Sequence, residues 1–170
     1  MEEQRYWLGL GTNVGDRGQA LQRAVEWLGG RLAIEDVAPI YETAPRDVKD
    51  QPAFLNSAAR VRTDLEPPAV LDLAKELEHD LGRVRRRRFG PREIDCDLLL
   101  WDGGTWDEER LTIPHPRLAE RRFALLPVLD LNPEITLPDG TALADLERAL
   151  DPGEQPARQT VEALAIPPVD

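Results

Sequence analysis

The sequence has a single cysteine, Cys96, only two lysines, and no apolar run that approaches the length of a transmembrane helix. One cysteine excludes an intrachain disulfide and fits a reducing compartment. The charged N-terminal residues MEEQR are unlike a signal peptide. We therefore expect a cytoplasmic protein that does not bind a membrane.

Internal repeats, low-complexity tracts and long linkers are also missing from the sequence. A length of 170 residues suits one domain with one substantial core. We expect a single domain over residues 1–170, with its core at about 5–150 and a polar, proline-rich tail at 151–170.

Acidic residues outnumber basic ones, which gives a net charge of -11. A chain with this charge repels polyanions, so the composition disfavours nucleic-acid binding. Nearly all the positive charge is arginine, and six arginines fall between Arg83 and Arg92. This cluster is a local exception to the acidic charge, either a solvated basic loop, an RNA-binding patch or a site for a small anion. Only one aromatic residue, Phe89, lies within it to stack on bases.

Hydrophobic periodicity predicts the element order βαββαβ. The predicted strands cover residues 6–11, 32–41, 54–62 and 94–101. The first helix has Asp16 as its N-cap and ends at Gly29 and Gly30, and Pro67 and Pro68 begin the second. This order predicts an α+β sandwich, an antiparallel sheet with both helices on one face. A C-terminal appendage follows, with a short strand near Ile135 and a helix at about 142–150.

Asp95 and Asp97 form an Asp-x-Asp pair on the last of these strands. Side chains at i and i+2 of a strand point to the same face, so the two carboxylates project together. Adjacent carboxylates repel each other unless a cation lies between them, and Mg²⁺ is often bound by one or two carboxylates plus substrate phosphates. A pair of solvated strand acids is the alternative. The neighbouring arginines favour phosphoryl transfer, because guanidinium groups bind phosphate oxygens bidentately.

Several blocks of sequence occur in a fixed order between about residues 7 and 150: LGLGTNVGD, YETAP, QPAFLN, GRVR…FGPREIDCDLLL and LTIPHP…RRFALLPVLDLNPE. Together they resemble the 6-hydroxymethyl-7,8-dihydropterin pyrophosphokinases of folate biosynthesis. The resemblance implies Mg²⁺-dependent transfer of diphosphate from ATP to the pterin hydroxymethyl group, which releases AMP. It also implies a ferredoxin-like βαββαβ antiparallel sheet in an α/β/α sandwich, and we expect a monomer.

The resemblance also implies roles for individual residues. Asp95 and Asp97 would bind two Mg²⁺ ions, and Arg83 and Arg92 would bind and activate the triphosphate. The further positions implied to contact ATP are Glu78, Arg85, Arg86, Leu98, Arg110, Thr112 and His115. The alternatives without a functional role are that His115 is a structural histidine between two prolines and that Glu78 is a solvated helix acid.

A pterin pocket is the other implied site. Phe54 and Asn56 share one face of a strand, and a flat heterocycle needs an aromatic stack together with amide hydrogen bonds at its edge. By resemblance, Phe123 supplies the second aromatic face, and the backbone of Thr43 and Ala44 forms the rim. The alternative is that both phenylalanines belong to the hydrophobic core.

Two other functions remain open on the residues alone. A different Mg²⁺-dependent nucleotidyltransferase would release pyrophosphate from ATP. A non-catalytic RNA-binding module would bind RNA with a steep dependence on salt.

Overall fold

The computed structural model describes residues 2–44, 51–82 and 93–168. Its helices and strands are β1 (Gln4–Thr12), α1 (Arg17–Gly29), β2 (Ala33–Val37), β3 (Tyr41–Thr43), β4 (Phe54–Thr63), α2 (Pro67–Asp80), β5 (Asp95–Trp101), β6 (Trp106–Glu108), β7 (Leu111–Ile113), α3 (Arg122–Leu131), α4 (Leu143–Arg148) and β8 (Ala157–Gln159). A single turn of 3₁₀ helix, Leu118–Glu120, precedes α3.

Six of these strands form one sheet in the order β5-β1-β4-β3-β8, with β2 paired to β4 beside β3. Every pairing in this sheet is antiparallel. The α+β class and the antiparallel sheet agree with the prediction. β1 is an interior strand, hydrogen-bonded to β4 on one side and to β5 on the other.

Helices cover both faces of the sheet. On the first face, the apolar sides of α1 and α2 pack against alternate strand residues such as Leu8 and Leu98. On the second face, α3, α4 and the 3₁₀ turn pack against the intervening residues, such as Trp7 and Leu99. The alternation of strand side chains therefore gives one sheet two hydrophobic cores.

The local signals for both predicted helices are confirmed. The Asp16 carboxylate accepts a hydrogen bond from the Gln19 N–H at 3.1 Å, as expected of an N-cap. α1 ends at Gly29, and α2 begins at Pro67, where the missing N–H of proline costs no helical hydrogen bond.

Two of the predicted strands are wrong in extent. The strand expected over residues 32–41 is divided into β2 and β3, and Pro39, which has no N–H to donate, lies in the break. The strand expected near Ile135 is only an isolated bridge between Thr136 and Ala142.

The C-terminal third contains elements that the sequence pattern did not predict. α3 lies within what we expected to be an appendage, although it carries Pro127 in its interior. The tail contributes β8, which pairs with β3 and lies at the end of the sheet opposite β5. Among the described residues, no helix is long and apolar enough to cross a membrane.

Candidate active site

A cavity of about 250 Å³ opens on the second face of the sheet, where β1, β4 and β5 meet the 3₁₀ turn and the start of α3. The predicted site residues that line it are Thr43, Ala44, Phe54, Asn56, Asp95, Asp97, His115 and Phe123. The structure therefore brings the residues assigned to the pterin together with the paired carboxylates.

Two glycines of β1, Gly9 and Gly11, contribute backbone to the middle of the cavity lining. Gly11 is paired with Asn56 of β4 on one side and with Asp95 of β5 on the other. A Cβ atom on Gly11 would lie 2.8 Å from the Asn56 Oδ1 atom, and one on Gly9 would lie 3.1 Å from Leu99. Glycine at these positions therefore leaves room for the Asn56 amide and for any ligand above the strand.

Asn56 is held in one orientation. Its side chain is buried, and the Nδ2 atom donates to the Oγ1 atom of Thr43 at 2.6 Å. Just before β4, the Ala53 carbonyl accepts a hydrogen bond from the Arg17 guanidinium at 2.7 Å. Phe54 lines the same cavity and belongs to neither core. Phe123 lines the cavity and also packs against the second core, so it belongs both to the candidate pocket and to the hydrophobic packing.

Asp95 and Asp97 both line the cavity and are partly buried, whereas the side chains of Cys96 and Leu98 lie in the first core. Burial and the negative charge of Asp95 raise the pKa of Asp97 to about 6, and the positive charge of Arg121 opposes the shift. The folded chain therefore places the Asp97 carboxylate beside a second negative charge in a buried environment that disfavours its ionisation. A cation would relieve this repulsion.

Within residues 2–44, 51–82 and 93–168, Asp95 and Asp97 are the only acidic residues that line the cavity. Over those residues, no group of three or more His, Cys, Asp or Glu side chains is close enough to hold a metal. A pair of carboxylates fits Mg²⁺, which keeps several water molecules and completes its coordination with substrate phosphates.

His115 is fixed by two backbone contacts. Its N–H donates to the Leu99 carbonyl at 2.9 Å, and its ring Nδ1 atom accepts from the Arg117 N–H at 3.1 Å. Burial, together with the charges of Arg121 and Arg117, lowers the pKa of His115 to about 4. The ring is therefore neutral at pH 7, and its proton is on Nε2 because Nδ1 acts as an acceptor.

The other described ATP-contact candidates lie outside the cavity. Glu78 is buried on α2 and accepts the Cys96 N–H at 2.9 Å, and the Leu98 side chain is in the first core. Arg110 forms an exposed ion pair with Asp72 of α2, and Thr112 is exposed on β7. Glu78, Leu98 and Arg110 lie toward the α2 side of β5, whereas the cavity lies on its other face.

The predicted arginines Arg83, Arg85, Arg86 and Arg92 lie outside the described residues. Two other arginines that we did not predict, Arg117 and Arg121, line the cavity. The Arg121 guanidinium lies 5.6 Å from the centroid of the Phe123 ring. The adjacent basic and aromatic residues in the sequence RRF could have indicated that Arg121 lies at the site. The role of the Gly9 and Gly11 backbone depends on strand register, which the sequence does not show.

The fold and the cavity are typical of a class of protein, the enzymes that act on a small polar molecule beside a pair of carboxylates. Comparison with known proteins gives the family. The family model described as 7,8-dihydro-6-hydroxymethylpterin-pyrophosphokinase matches residues 7–133. The 2-amino-4-hydroxy-6-hydroxymethyldihydropteridine pyrophosphokinase of Methylorubrum extorquens is 41% identical over 150 residues, covering 87% of this chain and 94% of that protein. The protein of the same name from Bacillus subtilis is 38% identical over 143 residues, covering 83% and 86%.

The chain therefore belongs to the 7,8-dihydro-6-hydroxymethylpterin-pyrophosphokinase family and is a pyrophosphokinase. Among the functions that the residues left open, family membership selects this one over another nucleotidyltransferase or an RNA-binding module.

Solved structures support the fold. An HPPK-DHPS protein crystallised in complex with substrates superposes with a TM-score of 0.71 at 16% identity, over 87% of this chain and 43% of that chain. Wild-type HPPK-DHPS of Plasmodium falciparum gives a TM-score of 0.70 at 16% identity, over 86% and 44%. The chain spans less than half the length of these structures, and at such identity they bear on the fold alone.

We expect Gly11→Ala to weaken binding of 6-hydroxymethylpterin at least about tenfold, because the new methyl group displaces the Asn56 amide and about 1.4 kcal/mol corresponds to tenfold. Isothermal titration calorimetry measures the effect. Gly30→Ala is the matched control, since its Cβ would make only ordinary van der Waals contact, with the Trp27 carbonyl at 3.6 Å and the Glu26 carbonyl at 4.0 Å. A Gly11→Ala variant that binds the pterin as tightly as the wild type contradicts the role of this glycine.

We expect the His115 ring to titrate with a midpoint near pH 4 in the ligand-free protein, measured by NMR on a His79→Gln background that leaves one histidine signal. Because this pKa lies below the value of 6.5 for an unperturbed histidine, the unfolded chain binds the proton first. The corresponding stability is present above about pH 6.5 and is lost as the pH falls toward 4. A midpoint between 6 and 7 is the result that contradicts the buried, neutral imidazole.

Proposed function

We propose that the cavity binds the pterin and that Asp95 and Asp97 bind two Mg²⁺ ions at its edge, in the reaction catalysed by this family. That reaction transfers diphosphate from ATP to 6-hydroxymethyl-7,8-dihydropterin in folate biosynthesis and yields the pterin diphosphate and AMP. The observation that carries the proposal is that the aromatic and amide residues and the carboxylate pair line one cavity.

The strand register gives the pterin an orientation. Asn56 and Asp95 flank Gly11 on the two neighbouring strands. Two strand spacings of about 4.8 Å separate them by roughly 10 Å. A fused two-ring heterocycle with one hydroxymethyl group has about this reach. The Asn56 amide therefore pairs with the polar edge of the ring, and the hydroxymethyl group points toward Asp95 and Asp97.

The two carboxylates fit the proposed metal because they are partly buried on one face of β5, and because the charge of Asp95 raises the pKa of Asp97. Mg²⁺ bound there would neutralise the phosphate charge and lower the barrier to attack by the hydroxyl oxygen. The neutral His115 has an Nε2–H that can donate to a phosphate oxygen. The guanidinium groups of Arg117 and Arg121 add positive charge at the same cavity.

Of the proposed nucleotide contacts, Glu78, Leu98 and Arg110 lie toward the other face of β5, and Thr112 is exposed on β7. β5 is the first strand of the sheet and pairs with β1 alone among the described strands. A nucleotide can therefore lie on the α2 side with its triphosphate crossing the edge of β5 to the carboxylates. Arg83, Arg85, Arg86 and Arg92 remain proposed triphosphate contacts on the basis of the resemblance.

Further properties belong to the same proposal. The strand order β5-β1-β4 followed by β2 and β3 supports a ferredoxin-like sheet. The large apolar side chains that are exposed in the described residues, Val161 and Ile166, are few, which supports a monomer. The net charge of -11 supports an enzyme without a nucleic-acid partner.

The test of the reaction is its product. With ATP, Mg²⁺ and 6-hydroxymethyl-7,8-dihydropterin, we expect AMP and the pterin diphosphate in equal amounts, resolved by ion-exchange chromatography. The 6-methyl analogue has no hydroxyl to accept the diphosphate and should give no AMP. Accumulation of ADP or free pyrophosphate, or turnover that does not depend on the pterin, argues against the assignment.

We expect Asp97→Asn to lower turnover by about 10²-fold or more, because a neutral amide binds Mg²⁺ poorly and leaves phosphate charge uncompensated.

The same change should raise the melting temperature of the ligand-free protein at pH 7.5. The pKa of Asp97 is raised in the folded state, so its ionisation destabilises the fold as the pH rises from about 4 to about 6. The gain should be a few degrees at pH 7.5 and small at pH 4, since 1 kcal/mol corresponds to about 2–4 °C at this size.

Asp102→Asn, at an exposed acid just beyond β5, is the control and should leave both turnover and melting temperature unchanged. Near-normal turnover of Asp97→Asn at saturating Mg²⁺ would contradict the metal-binding role and leave Asp95 and Asp97 as solvated acids without a function in catalysis.

A further inference from the structure

The C-terminal tail connects two walls of the cavity that are far apart in sequence. We call residues 155–159 the C-terminal strap. One end of the strap, Gln155, contacts the start of α3, which carries Phe123 into the cavity. The other end is β8, which pairs with β3, the strand that carries Thr43.

Gln155 replaces a missing helix cap. The N-cap residue of α3, Arg121, makes no side-chain capping hydrogen bond. The first N–H of the helix, that of Arg122, donates instead to the Gln155 Oε1 atom at 2.9 Å. The first N–H groups of a helix have no partner inside it, so an acceptor from elsewhere fixes the helix start.

Two more contacts attach Gln155 to the same place. The Arg122 Nη1 atom donates to the Gln155 carbonyl at 3.0 Å. The Gln155 Nε2 atom donates to the Glu120 carbonyl at 3.1 Å, on the 3₁₀ turn before α3. Gln155 is thus bonded on both sides of Arg121, which lines the cavity.

At the other end, β8 pairs with all three residues of β3, from Tyr41 to Thr43. Arg158 of β8 also donates to Glu42 at 3.0 Å, and Glu42 accepts from Arg17 at 3.3 Å. Thr43 in turn accepts the hydrogen bond that orients the Asn56 amide. This end of the strap therefore holds the rim and the amide wall of the cavity.

Pro156 lies between the two attachments, where its ring restricts its own φ angle and the conformation of Gln155 before it. A short, stiff connection of this kind transmits the position of one wall to the other. A flexible connection would leave the gap between the walls free to vary.

We propose that Gln155 is a positioning residue that, through the strap, holds the Phe123 wall at the correct distance from the Thr43 and Asn56 wall for a flat ring. The inference rests on the proposed binding of the pterin in this cavity. When the gap between the two walls is already set in the free protein, less conformational entropy is lost on binding. Loosening the gap should therefore weaken pterin binding and leave the nucleotide contacts on the α2 side of β5 unaffected.

The experiment measures two affinities for each full-length variant, that of 6-hydroxymethylpterin at a saturating non-hydrolysable ATP analogue with Mg²⁺, and that of the ATP analogue alone. Gln155→Met keeps the length of the side chain and removes its two side-chain hydrogen bonds, to the Arg122 N–H and the Glu120 carbonyl, while the backbone bond from Arg122 remains. We expect pterin binding to weaken by about three- to tenfold, within the net effect of one or two hydrogen bonds, while nucleotide affinity changes less than twofold. Gln159→Ala, at an exposed position of β8, is the matched control.

Pro156→Gly is the second variant, because it loosens the strap without removing any of these hydrogen bonds and spares the fold. It should give a smaller pterin defect of the same kind. A double-mutant cycle with Phe123→Ala separates positioning from general stability. If Gln155 acts through the Phe123 wall, Gln155→Met should weaken pterin binding less than twofold in the Phe123→Ala background.

Equal losses of both ligands, no pterin defect in either strap variant, or full additivity with Phe123→Ala would each overturn the inference while leaving the reaction itself intact. Wild-type protein that fails to bind the pterin would overturn the proposed function and the inference with it. The two failures are therefore distinguishable by the wild-type measurement alone.

Discussion

The glycines at positions 9 and 11 of β1, an interior strand of the sheet, are the constraint on which the site depends. Gly11 lies between Asn56 and Asp95 in the register of the sheet, and Gly9 lies opposite Asp97. A side chain at Gly11 would occupy the place of the Asn56 amide. Because β1 is hydrogen-bonded on both sides, it cannot shift to make room, and only the absence of a Cβ atom leaves a cavity above it.

The same register sets the electrostatics. Asp95 and Asp97 must face the cavity because Cys96 and Leu98 are buried in the first core, and turning the strand over would bury both carboxylates among apolar side chains. Packing on one face of β5 therefore holds two like charges together on the other. The raised pKa of Asp97 is the resulting cost in the free protein, and a bound cation would remove it.

Periodicity in the sequence was enough to predict the parts of the site that lie within one strand. Asp95 with Asp97 and Phe54 with Asn56 are both i, i+2 pairs, so each pair shares a face wherever its strand lies. The N-cap Asp16 is equally local. The resemblance, and not the spacing, brought Phe123 and His115 to the same place.

What the sequence did not reveal depends on partners distant along the chain. β8 is three residues long and polar at two of them, and it is a strand only because β3 offers it an edge. The start of α3 lacks a local cap, so its signal lies 33 residues away in Gln155. Gly11 looks like any glycine of a buried strand until its two neighbours are known. These features follow from tertiary contacts, which local propensity does not encode.

Ties of this long-range kind hold the segments that lead into the site strands as well as the cavity walls. The C-terminal end of β1 provides these contacts. The hydroxyl of Thr12, its last residue, donates to the Glu93 carbonyl, and the side chain of Asn13, the next residue, donates to the Pro52 carbonyl at 3.0 Å. Those carbonyls precede Phe54 on β4 and Asp95 on β5, so two consecutive residues at the end of β1 position the first residue of both strands. The strap does the same for β3 and α3 from the opposite side of the cavity. Each wall of the cavity is thereby held by a segment that is distant from it in sequence. These contacts keep the aromatic, amide and carboxylate groups in register, although none of these groups except Phe123 packs against the two hydrophobic cores.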